Sequence, residues 1–299
     1  MKKRLYVLVG PTAVGKTSEA ISLAKCLNTE ILSSDSRQFF EEMKIGVASP
    51  TEEELKSVKH HFIGHISVED NYNVGLYEKD ALEKIDNLFE TYDTLVLTGG
   101  SGMYVDVVCN GIDNLPDVRK EIREELNDIF TSKGIIPLQE ELREKDPEYY
   151  NKVDTQNHIR LIRALEVIRG TSKPFSSFLT KKKTERDFEI IKFCLYMDRE
   201  KLIERIHKRV DIMIEEGLED EARRLYQFKD LPALNTVGYK EIFRYFDNEI
   251  TLQQAIEDIK TNTRRYAKRQ MTWFRKDEDI IWVEANNNIN WKCLIENIK

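Results

Sequence analysis

Cysteine is scarce in this 299-residue sequence. The four present, Cys26, Cys109, Cys194 and Cys293, are too far apart for the close pairs of a zinc knuckle. A chain of this length buries a core without disulfide staples, so scattered reduced thiols of a cytosolic protein are expected. No run approaches the ~20 apolar residues of a membrane span. The start, Met1-Lys2-Lys3-Arg4 followed by Leu5–Val9, is too short for the apolar region of a signal peptide and ends in a glycine loop, so it reads as a strand. A cytoplasmic location and no membrane partner are expected. A surplus of positive charge is also missing: 46 Lys and Arg against 53 Asp and Glu leave −7, which excludes a protein that coats nucleic acid with its whole surface but allows a local basic patch. Internal repeats and low-complexity tracts are absent.

What is present is an alternation of short apolar runs and helical spacing. Hydrophobic residues make up 40%, enough for one large domain or a domain with an insert. Leu5–Val9 is a continuous apolar run, as in a strand buried on both faces of a parallel sheet. Helical spacing follows over 17–27, with Ala20, Ile21, Leu23, Ala24 and Leu27 on one side. A short strand over 30–33, a helix over 77–90 and a buried strand over 94–98 (TLVLT) complete a doubly wound α/β pattern. Between 112 and 186 strand signals vanish; Ile122, Leu126, Ile129 and Phe130, and then Ile159, Ile162, Leu165 and Ile168, have helical spacing. The expected organisation is a P-loop-type parallel sheet flanked by helices, built from 1–111 and 187–299, with an all-helical insert over 112–186. The stretch 192–197 returns to the sheet, a helix over 199–216 stops at Gly217, and 280–283 is a further short apolar segment.

Gly10, Pro11, Thr12, Ala13, Val14, Gly15, Lys16 and Thr17 read GPTAVGKT, a full G-x-x-x-x-G-K-[ST] match between a strand and a helix. Gly10 and Gly15 permit a loop whose N–H groups point inward, and the helix N-terminus adds partial positive charge. Lys16 meets terminal phosphates as a point charge, and the Thr17 hydroxyl suits Mg²⁺. The segment Asn151-Lys152-Val153-Asp154 spells the base-reading motif of a GTPase, but no buried strand precedes it. The strand over 94–98 ends in Gly99-Gly100-Ser101 and not in the carboxylate an ATPase uses on its metal. Phosphate binding is secure at this point; the identity of the phosphate ester is not.

Asp35 follows the second strand, and Ser101 the strand over 94–98. In an open α/β sheet both strand ends face the ligand crevice, so both residues point at the P-loop's phosphates. A carboxylate there serves as a general base or holds metal-bound water; the alternative is an N-cap of the next helix. From Lys260 to Lys276 the chain carries seven Lys and Arg and no acidic residue, with Tyr266, Trp273 and Phe274 interleaved. Such a stretch is either an RNA footprint or a solvated helix face. Lys181-Lys182-Lys183 with Arg186 form a weaker patch. His60, His61 and His65 bring no further ligand pattern and read as structural hydrogen-bonding groups.

With SSDSRQFF (33–40), GGSGMY (99–104), KHHFIGHI (59–66), YNVGLYEKDA (72–81), HIRLIRALEVIRGTSKPFS (158–176), RIHKRVDIMIEEGLEDEA (205–222), TVGYKE (236–241) and AKRQMTWFRK (267–276), the chain resembles the tRNA dimethylallyltransferase (isopentenyltransferase) family, in order and over nearly its whole length. The resemblance implies transfer of the dimethylallyl group of dimethylallyl diphosphate to N6 of the adenosine 3′ of the anticodon, with the P-loop holding a prenyl diphosphate. That removes the need for an ATPase carboxylate. It implies Asp35 as base for the adenine amine, Ser101 at the phosphate oxygen, and Arg209 with Lys16 and Mg²⁺ on the leaving diphosphate. It places Asp35, Ser36, Arg37 and Gln38, Ser101, Arg123, the run Ile159, Arg160, Leu161, Ile162 and Arg163, and Gly238, Tyr239 and Lys240 against the tRNA. Arg264, Arg265, Lys268 and Arg269 of the basic stretch join them. The chain departs from the family in carrying Ser101 for threonine, which keeps the hydroxyl and loses a rotamer-restricting methyl, and in lacking the usual aspartate after the paired histidines. The partners implied are a tRNA anticodon stem-loop and dimethylallyl diphosphate, with the protein a monomer.

Two other readings remain open on the residues alone: a small-molecule P-loop kinase with the helical insert as lid, and a prenyltransferase of free adenine nucleotides. A non-catalytic RNA-binding module fits poorly with intact Lys16, Thr17 and Asp35.

Overall fold

The first apolar run forms β1 (Arg4–Val9), buried at every residue after Arg4. The computed structural model describes residues 2–113, 115–180, 184–286 and 289–298. β1 lies inside a six-stranded sheet of order β3-β2-β4-β1-β5-β6, with β2 at Ile31–Ser33, β3 at His60–His61, β4 at Thr94–Gly99, β5 at Glu189–Tyr196 and β6 at Ile281–Glu284. All of its strand pairs are parallel. Alternation of side chains along β1 explains its unbroken apolar run. Leu5, Val7 and Val9 pack on one face with residues of α3 (Val74–Phe89) and α4 (Gly102–Asn110), whereas Tyr6 and Leu8 pack on the other with α1 (Lys16–Leu27).

The chain divides into two compact units, Met1–Asn110 with Glu185–Lys299, and Gly111–Thr184. The second is all helical among its described residues: the helices Lys120–Lys133, Ile136–Lys145, Pro147–Tyr150 and His158–Thr171 close on Ile122, Leu126, Leu138, Leu142, Leu161 and Leu165. Asn151–Asp154 follows the shortest of these helices, with no strand before it, so its GTPase-like spelling has no base-reading context. In the first unit, β5 leads into the helix Arg199–Glu215, which ends before Gly217 at φ +97°, a conformation that favours glycine. The helices Leu218–Leu225, Tyr239–Phe246 and Leu252–Phe274 then build a separate apolar cluster around Met43, Leu234, Tyr239 and Ile242.

The helix expected over 77–90 begins earlier, at Val74, because the Asn73 side chain caps the N–H groups of Gly75 and Leu76. β3 is two residues long and has no pattern a sequence can show. Its His61 ring bonds Glu30 at 2.6 Å, His60 Nδ1 bonds the Val58 carbonyl at 2.8 Å, and His65 packs edge-on against Phe39 and Phe62. Lys181–Lys183 lie outside the described residues. Arg186, assigned above to the same basic patch, is instead turned inward: it donates to the carbonyls of Val107 and Val108 and to Glu78. Among the described residues, no helix is long and apolar enough to cross a membrane.

Candidate active site

β1 hands the chain to the P-loop at Gly10, where a Cβ would stand 2.8 Å from the Leu195 carbonyl, and the loop closes at Gly15, φ +103°, directly before α1. The helix N-terminus therefore opens into the loop and supplies N–H groups and partial positive charge for an anion. The Lys16 ammonium donates to the Pro11 carbonyl at 2.8 Å. Burial pushes its pKa down to about 8, an effect opposed by the Asp35 carboxylate and reinforced by Arg209.

Strand register brings the other groups to the same edge. Val9 pairs with Gly99, and Ser33 with Thr98, so the P-loop, Ser34-Asp35 and Gly100-Ser101 all emerge at the carboxyl ends of adjacent strands. Ser34 donates to the Thr98 carbonyl through both its N–H, at 2.7 Å, and its hydroxyl, at 3.1 Å. The buried Tyr77 hydroxyl holds the Ser33 carbonyl at 2.9 Å. Asp35 Oδ1 accepts the Arg37 N–H at 3.1 Å, so the carboxylate caps its own turn and also lines the cavity. Ser101 Oγ accepts the Ser36 N–H at 3.1 Å and lies 3.0 Å from the Ser36 hydroxyl. The fixed position that the missing methyl would favour is supplied here by Ser36.

The remaining wall comes from two helices. Arg209 on Arg199–Glu215 reaches the Thr12 hydroxyl at 3.4 Å; burial lowers its pKa, Asp35 opposes that, and Arg205 adds to it. Arg205, one helical turn earlier, donates to the Ala13 carbonyl at 2.8 Å. It was not singled out from the sequence, although its i, i+4 spacing to Arg209 puts both on one helix face. Leu252–Phe274 contributes Tyr266, Arg269, Gln270 and Trp273. Burial, with the Asp35 charge second, pushes the Tyr266 phenol up to about 12.

These groups enclose a cavity of about 1280 Å³ that also contains Thr17, Ser36, Gln38, Gly238 and Lys240. Single small-ligand pockets run to roughly 1,000 Å³, so there is room for more than one reactant. Lys16, Arg205 and Arg209 converge on it with the Asp35 carboxylate among them, an arrangement that calls for a multiply charged anion.

Several residues expected against tRNA have other duties. The Arg37 guanidinium donates to the carbonyls of Pro232 and Ala233, and the Gln38 amide nitrogen to those of Val47 and Ala48, so both brace loops at the cavity wall. Tyr239 is fully buried, and its hydroxyl donates to Glu221, which also accepts the N–H groups of Lys44, Ile45 and Gly46. A motif's neighbourhood says nothing about which of its side chains turns inward, and Tyr239 presents none to RNA. In the helical unit Leu161 and Ile162 are core residues, while Ile159 is 58% exposed and Arg160 is exposed beside it. Arg163 and Arg123 flank the buried Glu166 at 3.0 and 3.6 Å. On Leu252–Phe274, Arg264, Arg265, Lys268 and Arg269 are exposed, whereas Lys260 is paired with Asp211 and Glu257.

The family model described as IPP transferase matches residues 38–277. A tRNA dimethylallyltransferase of Christiangramia forsetii is 53% identical over 288 residues, 96% of this chain and 95% of that one. A tRNA dimethylallyltransferase of Flavobacterium johnsoniae is 50% identical over 305 residues, 99% of each chain. Among solved structures, the full-length tRNA isopentenylpyrophosphate transferase from Bacillus halodurans superposes with a TM-score of 0.72 at 37% identity, over 99% of this chain and 94% of its own. A eukaryotic dimethylallyltransferase caught acting on tRNA gives 0.83 at 25% identity, over 97% and 76%. On the span matched and the identities reached, the chain belongs to the IPP transferase family of enzymes.

Proposed function

We propose that the protein transfers the dimethylallyl group of dimethylallyl diphosphate to N6 of the adenosine 3′ of the anticodon in tRNA. The observation that carries this reading is a cavity in which the P-loop, Lys16, Arg205, Arg209 and the Asp35 carboxylate meet. The bond between C1 of the donor and the bridging oxygen breaks, and the electron pair leaves with diphosphate. The adenine N6 lone pair forms the new C–N bond, and the displaced N6 proton passes to Asp35. Lys16, Arg209 and the P-loop N–H groups stabilise the charge that grows on the leaving diphosphate. Ser101 contacts a phosphate oxygen near the donor carbon. The adenosine must leave its stack for its amine to reach Asp35, and exposed Arg264, Arg265, Lys268 and Arg269 suit the phosphates flanking it.

Magnesium fits this donor set. The Thr17 hydroxyl lines the cavity as a hard oxygen ligand, and among the described residues no group of three or more His, Cys, Asp or Glu forms a protein-only cage. Such an ion, held by the Thr17 hydroxyl, would offset negative charge on the diphosphate.

Incubation with radiolabelled dimethylallyl diphosphate, Mg²⁺ and either unmodified tRNA or AMP tests the reading. Label is expected in tRNA; label in AMP alone, or in neither, overturns it. The low pKa of Lys16 adds a pH signature. Its charged form is the one that binds diphosphate, and that form is lost as pH rises through about 8. The kcat/KM for the donor, which reports the free enzyme, is therefore expected to fall above pH 8, with a slope approaching tenfold per pH unit. A flat profile to pH 10 rules out the shifted lysine.

A further inference from the structure

Gln270 takes no part in the chemistry outlined above, yet it sits where the two halves of that chemistry join. Its side chain is 5% exposed and belongs to the helix Leu252–Phe274, far along the chain from both groups it touches. Gln270 Oε1 accepts the Thr12 N–H of the P-loop at 2.8 Å. Gln270 Nε2 donates to the Gly100 carbonyl at 2.9 Å. A side-chain amide is chemically a peptide group, with one carbonyl and an N–H donor. The parallel ladder between β1 and β4 ends at the Val9–Gly99 pair, and past that point the P-loop and the Gly100-Ser101 turn diverge. The amide of Gln270 spans them one step beyond the last rung.

We propose that Gln270 is a positioning residue that fixes the distance between the diphosphate cradle and the Asp35–Ser101 side of the cavity. The inference rests on the proposed transfer reaction. Donor carbon and acceptor nitrogen are held by different loops: the P-loop grips diphosphate, and the turns bearing Asp35 and Ser101 face the amine. Reacting atoms need an approach of about 3–3.5 Å, and a 1 Å misplacement costs on the order of 100-fold in rate. Sheet pairing cannot set this spacing, because neither loop belongs to the ladder. Gly100 is shaped for the same contact: a Cβ there would stand 2.3 Å from Gln270 Nε2 and 3.7 Å from Asp35 Oδ2. The side chain thus bears on the very backbone that carries Ser101. The helix supplying it also exposes Arg264, Arg265, Lys268 and Arg269.

The test uses steady-state and single-turnover transfer from dimethylallyl diphosphate to unmodified tRNA, with thermal unfolding as a control. Wild-type transfer is the reference; if the wild type fails, the function proposed above falls, whereas the inference about Gln270 concerns only the variants. Gln270→Ala removes both bonds. Gln270→Glu keeps the acceptor for Thr12 and sets an oxygen against the Gly100 carbonyl. Both are expected to lower the single-turnover rate by about 10- to 100-fold, with KM for either substrate changed less than threefold. Gly100→Ala supplies the second arm. Beside Gln270 it is expected to cost as much as Gln270→Ala, and in the Gln270→Ala background to cost less than twofold more, since the collision partner is gone. A loss confined to KM for the donor would make Gln270 part of the phosphate site and overturn the inference. Equal single-turnover rates per folded molecule, or multiplicative losses in the double variant, would also overturn it. If Gln270→Ala does not fold, Gln270→Glu decides alone by the same split between rate and KM.

Discussion

Asp35→Asn is expected to lower the rate of dimethylallyl transfer by about 10²- to 10⁴-fold, the range for loss of a positioned general base. Asparagine retains an oxygen for the Arg37 N–H that Asp35 now accepts at 3.1 Å, so the turn is preserved and the basicity is not. Equilibrium binding of unmodified tRNA should change less than threefold, because the exposed cations lie elsewhere and supply the sequence-independent part of that affinity. Single-turnover transfer alongside a filter-binding isotherm separates the two. If tRNA affinity falls in parallel with the rate, Asp35 is a structural or contact residue and the base lies elsewhere. The substitution also removes the negative charge beside Lys16 and Arg209, so both cations lose the partner that opposes the lowering of their pKa by burial.

Arg209→Ala should lower the transfer rate by about 10²- to 10³-fold, comparable with removal of one oxyanion donor elsewhere. Arg209 sits at the Thr12 hydroxyl of the P-loop, where burial lowers its pKa and the nearby Asp35 carboxylate opposes that. Arg209→Lys is expected to recover little, since an ammonium cannot donate in the planar two-pronged manner of a guanidinium. Arg205→Ala should cost less than Arg209→Ala, because Arg205 is exposed and already donates to the Ala13 carbonyl. Pre-steady-state measurement of diphosphate release checks both. If Arg209→Ala alters only the KM for the donor, the arginine binds ground state and transition state alike.

Much of this site could be read from residues. The strands declare themselves because β1 and β4 are covered on both faces, which leaves continuous apolar runs, and the P-loop sits where a strand becomes a helix. Asp35 and Ser101 follow from the rule that ligands gather at the carboxyl ends of parallel strands. Helical periodicity marked Ile162, Leu165 and Ile168 as inward-facing, and they are buried; Ile159 of the same series is 58% exposed, and Leu161, outside the series, is core. Tyr239 escaped notice as a core residue because its burial depends on Glu221 and on the close approach of Gly46, whose added Cβ would fall 2.6 Å from the tyrosine ring. Gln270 was illegible for a different reason. Nothing local distinguishes a glutamine on a basic helix, and its role exists only once two distant loops lie on either side of it. β3, at two residues, is too short to leave a pattern.

The inward-turned Arg186 carries an architectural consequence. Its guanidinium grips the carbonyls of Val107 and Val108 at 2.7 and 2.9 Å, so the chain leaves the sheet-bearing unit and re-enters it at neighbouring points. A segment tethered at both ends to one spot behaves as a loop whose closure is already enforced by its host. Lengthening such a loop is inexpensive, about 0.6 kcal/mol for each doubling. A change in the length of the helical segment 111–184 would therefore add little closure cost, because Arg186 holds the two ends of that segment together beside the sheet.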